Sequence, residues 1–159
     1  GETAAGKYPL EALEMMDGIA RTAEREFDYN HVHIIRMQTT PLRSVADAIG
    51  RATCTAAREM NAKAIITPTR SKFRPRVPII APCYERSVAR RVALCFGAEA
   101  ILIAKGDNPD AVYESAVNAI KKKGYVHDGD CIIITAGVPL MERGNTNTMR
   151  IHTVGHKLI

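Results

Sequence analysis

The chain has 159 residues, 46% of them hydrophobic and 25% charged, enough for one sound core and one domain with an appendage. No apolar run approaches the ~20 residues of a membrane helix and no charged-then-apolar leader stands at Gly1, so neither a membrane partner nor a secretory signal is expected and the expected location is cytoplasmic. Net charge is +5, but the basic residues are scattered, with three Phe and no Trp to stack bases, so small anions are expected as ligands in preference to nucleic acid.

Pro9 suits the first turn of a helix. Leu13, Met16, Ala20, Ala23 and Phe27 then recur at helical spacing with Glu11, Glu14, Asp17, Arg21 and Glu24 on the other faces, which predicts an amphipathic helix in need of a partner surface. Tyr29–Thr39 reads as a connector. On a strand His31 and His33 would share a face, but no third ligand follows at a metal-binding spacing, so no metal site is expected. Thr40-Pro41 offers an N-cap and a first-turn proline for a helix running to about Met60. That helix is rich in Ala and Gly, which suits tight packing within the domain or contact with another subunit.

Ala64–Thr67 and Val77–Ala81 read as short buried strands. Only nine residues, Pro68–Arg76, separate them, fewer than a parallel crossover of ~10–12 residues needs. Tyr84–Phe96 is predicted to be a helix with Val88, Val92 and Cys95 on one face and Gly97 as its stop. Its arginines are a solvated face, or else an interface or phosphate contact. Ala98–Ala104 is the next strand. Asn108-Pro109 caps a helix that ends in Lys121–Lys123 and Gly124, so the lysine run is explained by the helix dipole. Asp128-Gly129 turns into Cys131–Thr135, an apolar run suited to a strand covered on both faces. Met149–Val154 reads as an edge strand with Met149, Ile151 and Thr153 on its apolar side.

The βαβαβαβ order predicts an α/β fold. It is a three-layer, mostly parallel five-stranded sheet of four parallel strands plus an antiparallel edge strand, with helices on both faces. Right-handed crossovers place the strand carboxyl ends on one edge, where such sheets bind ligands. Thr67 and Thr69 supply hydroxyls there. Gly137 and Gly144–Thr148 can present backbone amides, and Arg143 and the KFRPR run add positive charge. The alternative is two ordinary connecting loops, since no glycine-rich nucleotide motif of known spacing occurs. The cysteines Cys54, Cys83, Cys95 and Cys131 form no CxxC and read as reduced core thiols.

Three stretches, in order, resemble one family: GETAAGKYPLEAL at the start, KFRPRVPIIAP at Lys72–Pro82, and AGVP followed by GNTNTMRIHTVG near the end. They look like the C-terminal part of a pyruvate kinase, and the resemblance extends over nearly the whole chain. It implies that residues 1–28 are a remnant of the catalytic barrel domain, its final helix, and that residues 29–159 are the C-terminal α/β domain. That helix's stripe should then be exposed, repacked or covered by another chain. Starting mid-motif without an initiator Met suits a fragment.

The resemblance further implies an allosteric effector-phosphate site at Thr67, Thr69, Ser71, Gly144, Asn145, Thr146, Asn147 and Thr148. It also implies that about eight residues of the family's TxSGxT-type loop are absent between Thr69 and Lys72. Val112 stands where the family often carries a second phosphate-clamping arginine, which favours a sugar monophosphate or AMP-type effector over a bisphosphate. Other subunits of a homotetramer and the catalytic barrel domain are the implied protein partners. The parent enzyme would transfer phosphoryl from phosphoenolpyruvate to ADP in glycolysis with Mg and K. This chain supplies no catalytic residue and no cofactor of its own, so it is expected to be inactive alone. The contrasting reading is an independent small α/β protein that binds or hydrolyses a phosphorylated metabolite.

Overall fold

A computed structural model of the chain describes residues 1–68, 73, 75–95, 97–106, 108–138 and 146–157. The chain divides into two compact units, Gly1–Val32 and His33–Ile159.

The first unit contains helix α1 (Glu2–Ala5) and helix α2 (Pro9–Arg25). Pro9 occupies the first turn as its fixed φ allows, and the Tyr8 amide just before it donates to Glu2 Oε1 at 2.8 Å. Asp17 and Arg21, one turn apart, pair at 2.6 Å. The predicted stripe is present but no residue of α2 is buried, and Leu13, Met16 and Ile19 are all exposed.

Residues read as a connector form a helix instead, α3 (Tyr29–Thr39), which runs across the boundary between the units. Its start is set by a side chain: Asp28 Oδ1 accepts from the His31 amide at 3.0 Å. On a helix, residues two apart point away from each other, so the shared face that a strand would give His31 and His33 does not arise. The side chain of His33 lies outside the described residues.

In the second unit, helix α4 (Val45–Glu59) begins later than predicted. Its N-cap is Ser44, not Thr40. Ser44 Oγ accepts from the Asp47 amide at 3.1 Å, and Asp47 reaches back to accept from the Arg43 amide at 3.1 Å. This is the reciprocal logic of a capping box, shifted by one donor. Thr40 serves differently, its carbonyl accepting from the Arg51 guanidinium. Asn61, in the left-handed region at φ 49°, turns the chain out of α4 toward the sheet.

The sheet has five strands in the order β3-β2-β1-β4-β5: β1 (Ala64–Ile66), β2 (Ile79–Cys83), β3 (Ala98–Leu102), β4 (Cys131–Ala136) and β5 (Thr148–Thr153). The first four are parallel, and β5 runs antiparallel beside β4 at one edge, as the alternation of elements predicted. Helix α5 (Arg86–Val92) links β2 to β3, and helix α6 (Pro109–Lys122) carries the chain from β3 across to β4. The helix expected over Tyr84–Phe96 is shorter at both ends, because the chain leaves it in a turn where the Cys95 amide donates to Val92 O at 2.8 Å.

The isoleucine run of β4 explains the layering. Successive strand residues face opposite ways. Ile132 and Ile134 pack with Ile66, Ile80 and the α6 residues Ala116, Val117 and Ile120. Ile133, between them, packs with Ile65 and with Ala57 of α4. A strand with both faces covered must be apolar throughout, and each fully buried Ile contributes ~1.5–3 kcal/mol relative to an exposed one.

Two details of the strands differ from expectation. β1 and β2 pair in parallel, as predicted, but across a longer join than the sequence indicated. Ile65 pairs with Ile79 and Ile66 with Ile80 because β2 starts two residues later than predicted, which brings the join up to the ~10–12 residues a short crossover needs. Among the described residues of that join no helix occurs, and Phe73 is buried at 1% exposure, its ring beside Gly50 and the Arg51 guanidinium of α4. In β5 the buried side is the opposite of the one predicted. His152 and Val154 are buried, whereas Ile151, on the α4 face opposite Ile133, remains 47% exposed at the outermost strand.

Candidate functional site

From β1 the chain steps to β2 and β3 on one side, then returns past β1 to place β4 on the other. The strand order therefore reverses between β1 and β4, and in open α/β sheets the crevice outside the carboxyl ends at such a reversal is where ligands bind. Thr67 follows β1 at this point, 7% exposed, its amide donating to Ile80 O at 2.9 Å. Ile66 lies beside Ile134, so Thr67 comes level with the end of β4, where Ala136 pairs with Thr148.

The register thus brings Thr67, Thr146, Asn147 and Thr148 to one edge of the sheet. Thr69, Ser71, Gly144 and Asn145 lie outside the described residues, as do Lys72, Arg74 and Arg143.

The stem of the last loop is well fastened. Asn147 donates from its amide to Ala136 O at 2.9 Å, and its side chain both accepts from and donates to the backbone of Val138. Thr148 Oγ donates to Ala136 O at 3.1 Å. Asn147 and Thr148 therefore act first as a clamp that joins Thr146–Thr148 to Ala136–Val138. Thr146 is buried beside them at 7% exposure. Val112 is likewise buried, at 6%, in the first turn of α6.

Beside this stem lies a cleft of about 360 Å³ between the start of α6 and β5. Asp110 and Tyr113 line it from α6, Ile134 and Val138 from β4 and the residues after it, and Thr148 and Arg150 from β5. Asn108 positions the helix end by accepting from the Ala111 amide at 2.8 Å. Arg150 Nη1 donates to Asp110 Oδ1 at 3.1 Å, and its Cζ lies 5.8 Å from the centre of the Tyr113 ring. Burial pushes the Tyr113 phenol up from its ordinary pKa, so it stays neutral and able to donate. Sequence reasoning missed this group. Asp110 reads as a helix-dipole residue and Arg150 as a strand's polar side, and no spacing rule joins residues forty positions apart.

None of the four cysteines is in a disulfide, and burial pushes the Cys83 and Cys131 thiols up, away from the reactive thiolate. Among the described residues no group of three or more His, Cys, Asp or Glu is placed to hold a metal ion. Nor is any described helix long and apolar enough to cross a membrane.

A doubly wound sheet of four parallel strands with an antiparallel edge strand, covered by helices, defines an α/β domain. Its family follows from comparison: the pattern described as the pyruvate kinase alpha/beta domain matches residues 47–152, and the chain belongs to that family. Among curated relatives, the pyruvate kinase of Sporosarcina psychrophila is 38% identical over 99% of this chain. Those of Clostridium acetobutylicum and Geobacillus stearothermophilus are 35% and 37% identical over 97% and 99%. The chain spans only 28%, 34% and 28% of the length of these three relatives. The match to the first runs over 166 aligned positions against a chain of 159, so that relative carries residues with no counterpart here.

Proposed function

We propose that this chain is the effector-binding and subunit-assembly domain of a pyruvate kinase. In this reading the parent enzyme, acting in the cytoplasm as a homotetramer, transfers phosphoryl from phosphoenolpyruvate to ADP. A phosphorylated effector, a sugar monophosphate or an AMP-type nucleotide, binds at the carboxyl edge of the sheet and regulates a distant active site. The Mg and K ions of the reaction would be held by the catalytic barrel domain of the parent enzyme.

The observation that carries this reading is the strand order. The reversal between β1 and β4 sets Thr67 level with the Thr135–Met149 rung, one residue from Ala136 and Thr148, so hydroxyls and amides from distant segments share one edge. Val112, which the resemblance sets at the family's second phosphate-clamping position, is buried and apolar and so supports a monophosphate. The exposed apolar stripe of α2 supports a missing partner surface, which the remainder of a barrel domain would provide.

Thermal unfolding with AMP, ribose 5-phosphate and fructose 1,6-bisphosphate tests the effector role. A saturating monophosphate stabilises by linkage, ~2.7 kcal/mol at 100-fold over Kd, and no shift with any of the three rejects it. Incubating the chain with phosphoenolpyruvate, ADP, Mg²⁺ and K⁺ tests the assignment of chemistry elsewhere. No pyruvate is expected, and sustained turnover would overturn that assignment.

A further inference from the structure

We propose that Arg51 couples the β1–β2 join to the last turn of α3, so that a change in the join is passed to that helix through one guanidinium. The coupling is a property of the fold. Its regulatory use, carrying the presence of a ligand to α3, rests on the effector reading above.

Three segments meet at one turn of α4. The Thr40 amide donates to Arg36 O at 3.0 Å and closes the last turn of α3. The Thr40 carbonyl accepts from Arg51 Nη2. The Arg51 Cζ lies 5.8 Å from the centre of the Phe73 ring, and a Cβ on neighbouring Gly50 would meet that ring at 3.5 Å. Phe73 lies in the join that leads from Thr67 to β2, and at 1% exposure it anchors that join to α4.

The chemistry of arginine suits this place. A guanidinium is a rigid plane that donates along its edges and lays its face on a ring. One plane here serves both Thr40 and Phe73, so a tilt of the ring tilts the donor that holds the end of α3. Arg51 Nε is buried and finds no partner among the described residues. A buried donor left unpaired costs stability, so the plane is set by its two contacts and not by its own full satisfaction.

The position gives the contact a use. Helix α3 runs across the boundary between the two units, and its last turn is where Arg51 ties it to α4. A ligand that holds the join therefore steadies Arg51, and Arg51 steadies the helix along which the chain arrives from the first unit.

Amide hydrogen exchange of the 159-residue chain at Thr40, with the Ala62 amide as reference, tests this. Ala62 donates to Ala57 O at the other end of α4, so a general loss of stability speeds both amides alike. Phe73→Leu, which stays apolar but lacks the ring, should speed Thr40 relative to Ala62 by at least about threefold, the lower range of coupling between residues in contact. It should have no such effect beside Arg51→Met or, independently, Arg51→Lys, neither of which has the plane. An unchanged ratio in Phe73→Leu, or a change that survives beside either Arg51 variant, would overturn the coupling. AMP or ribose 5-phosphate should slow Thr40 relative to Ala62 in the wild type and not in Arg51→Met. Binding without that slowing would overturn the regulatory use and leave the effector edge in place. Absence of binding by either ligand would remove the effector reading and the regulatory use together, while the variants still decide the coupling.

Discussion

Asn147 and Val138 hold each other across nine positions of chain by two bonds of opposite sense. The Val138 amide donates to Asn147 Oδ1 at 2.9 Å, and Asn147 Nδ2 donates to Val138 O at 2.7 Å. Only a side-chain amide presents an acceptor and a donor in this geometry. Asn147→Ala should lower stability by about 1–2 kcal/mol, two hydrogen bonds at an exposed site. Asn147→Asp, which keeps the acceptor but sets a carboxylate against a carbonyl, should recover none of it. Urea denaturation measures both, and wild-type stability in Asn147→Ala would show that the clamp is not formed in solution.

The start of α4 offers a sharper comparison. Ser44→Ala should cost about 1 kcal/mol through loss of the cap. Thr40→Ala should cost under about 0.5 kcal/mol, because Thr40 contributes its backbone carbonyl to Arg51. Denaturation midpoints in the reverse order would place the cap at Thr40 after all.

Core position and edge position separate cleanly along one rung. Ile133 and Ile151 are opposite each other, the first fully buried and the second 47% exposed. Ile133→Ala should destabilise by about 2–5 kcal/mol, transfer and cavity terms together. Ile151→Ala should cost under about 1 kcal/mol. Equal losses would mean that β5 is covered in solution by something further.

His152 gives the fold a pH dependence with a definite sign. Burial first, then the nearby positive groups Arg150 and His156, hold its pKa below the ordinary imidazole value. The unfolded chain therefore takes up this proton more readily than the folded one. Stability from this residue is complete above about pH 6.5 and is lost as pH falls through the lowered folded value. His152→Gln should flatten the fall in urea midpoint between about pH 7 and 5. A fall of unchanged size in the variant would assign it to other groups.

Glu99 acts lower on the scale. Its hydrogen bond with Tyr125, then that with Lys123, lowers its pKa and ties β3 to the segment after α6. That contribution is present above the ordinary carboxylate range and lost below it, so the two residues act in separate windows.

Much of this architecture was written locally. The Ile132–Ile134 run demanded a strand covered on both faces. Asn108 and Gly124 marked the ends of α6, where Asn108 caps and Gly124 takes φ 78°. The alternation of elements implied four parallel strands and one reversed edge. Cap chemistry and hydrophobic period depend on neighbours a few residues away, so a sequence displays them directly.

What remained for the tertiary structure depended on distant partners. Thr40 and Ser44 are both acceptable caps, and the choice follows from Arg51 drawing the Thr40 carbonyl into another bond. The apolar pattern of β5 named the wrong face, because an edge strand's burial depends on which helix reaches it. The Asp110–Arg150–Tyr113 cleft exists only because β5 folds back antiparallel along β4, bringing Arg150 to the start of α6. Local preference could choose the elements; only their packing could choose which polar groups meet, because that meeting is fixed by strand order and register, which no short stretch of chain contains.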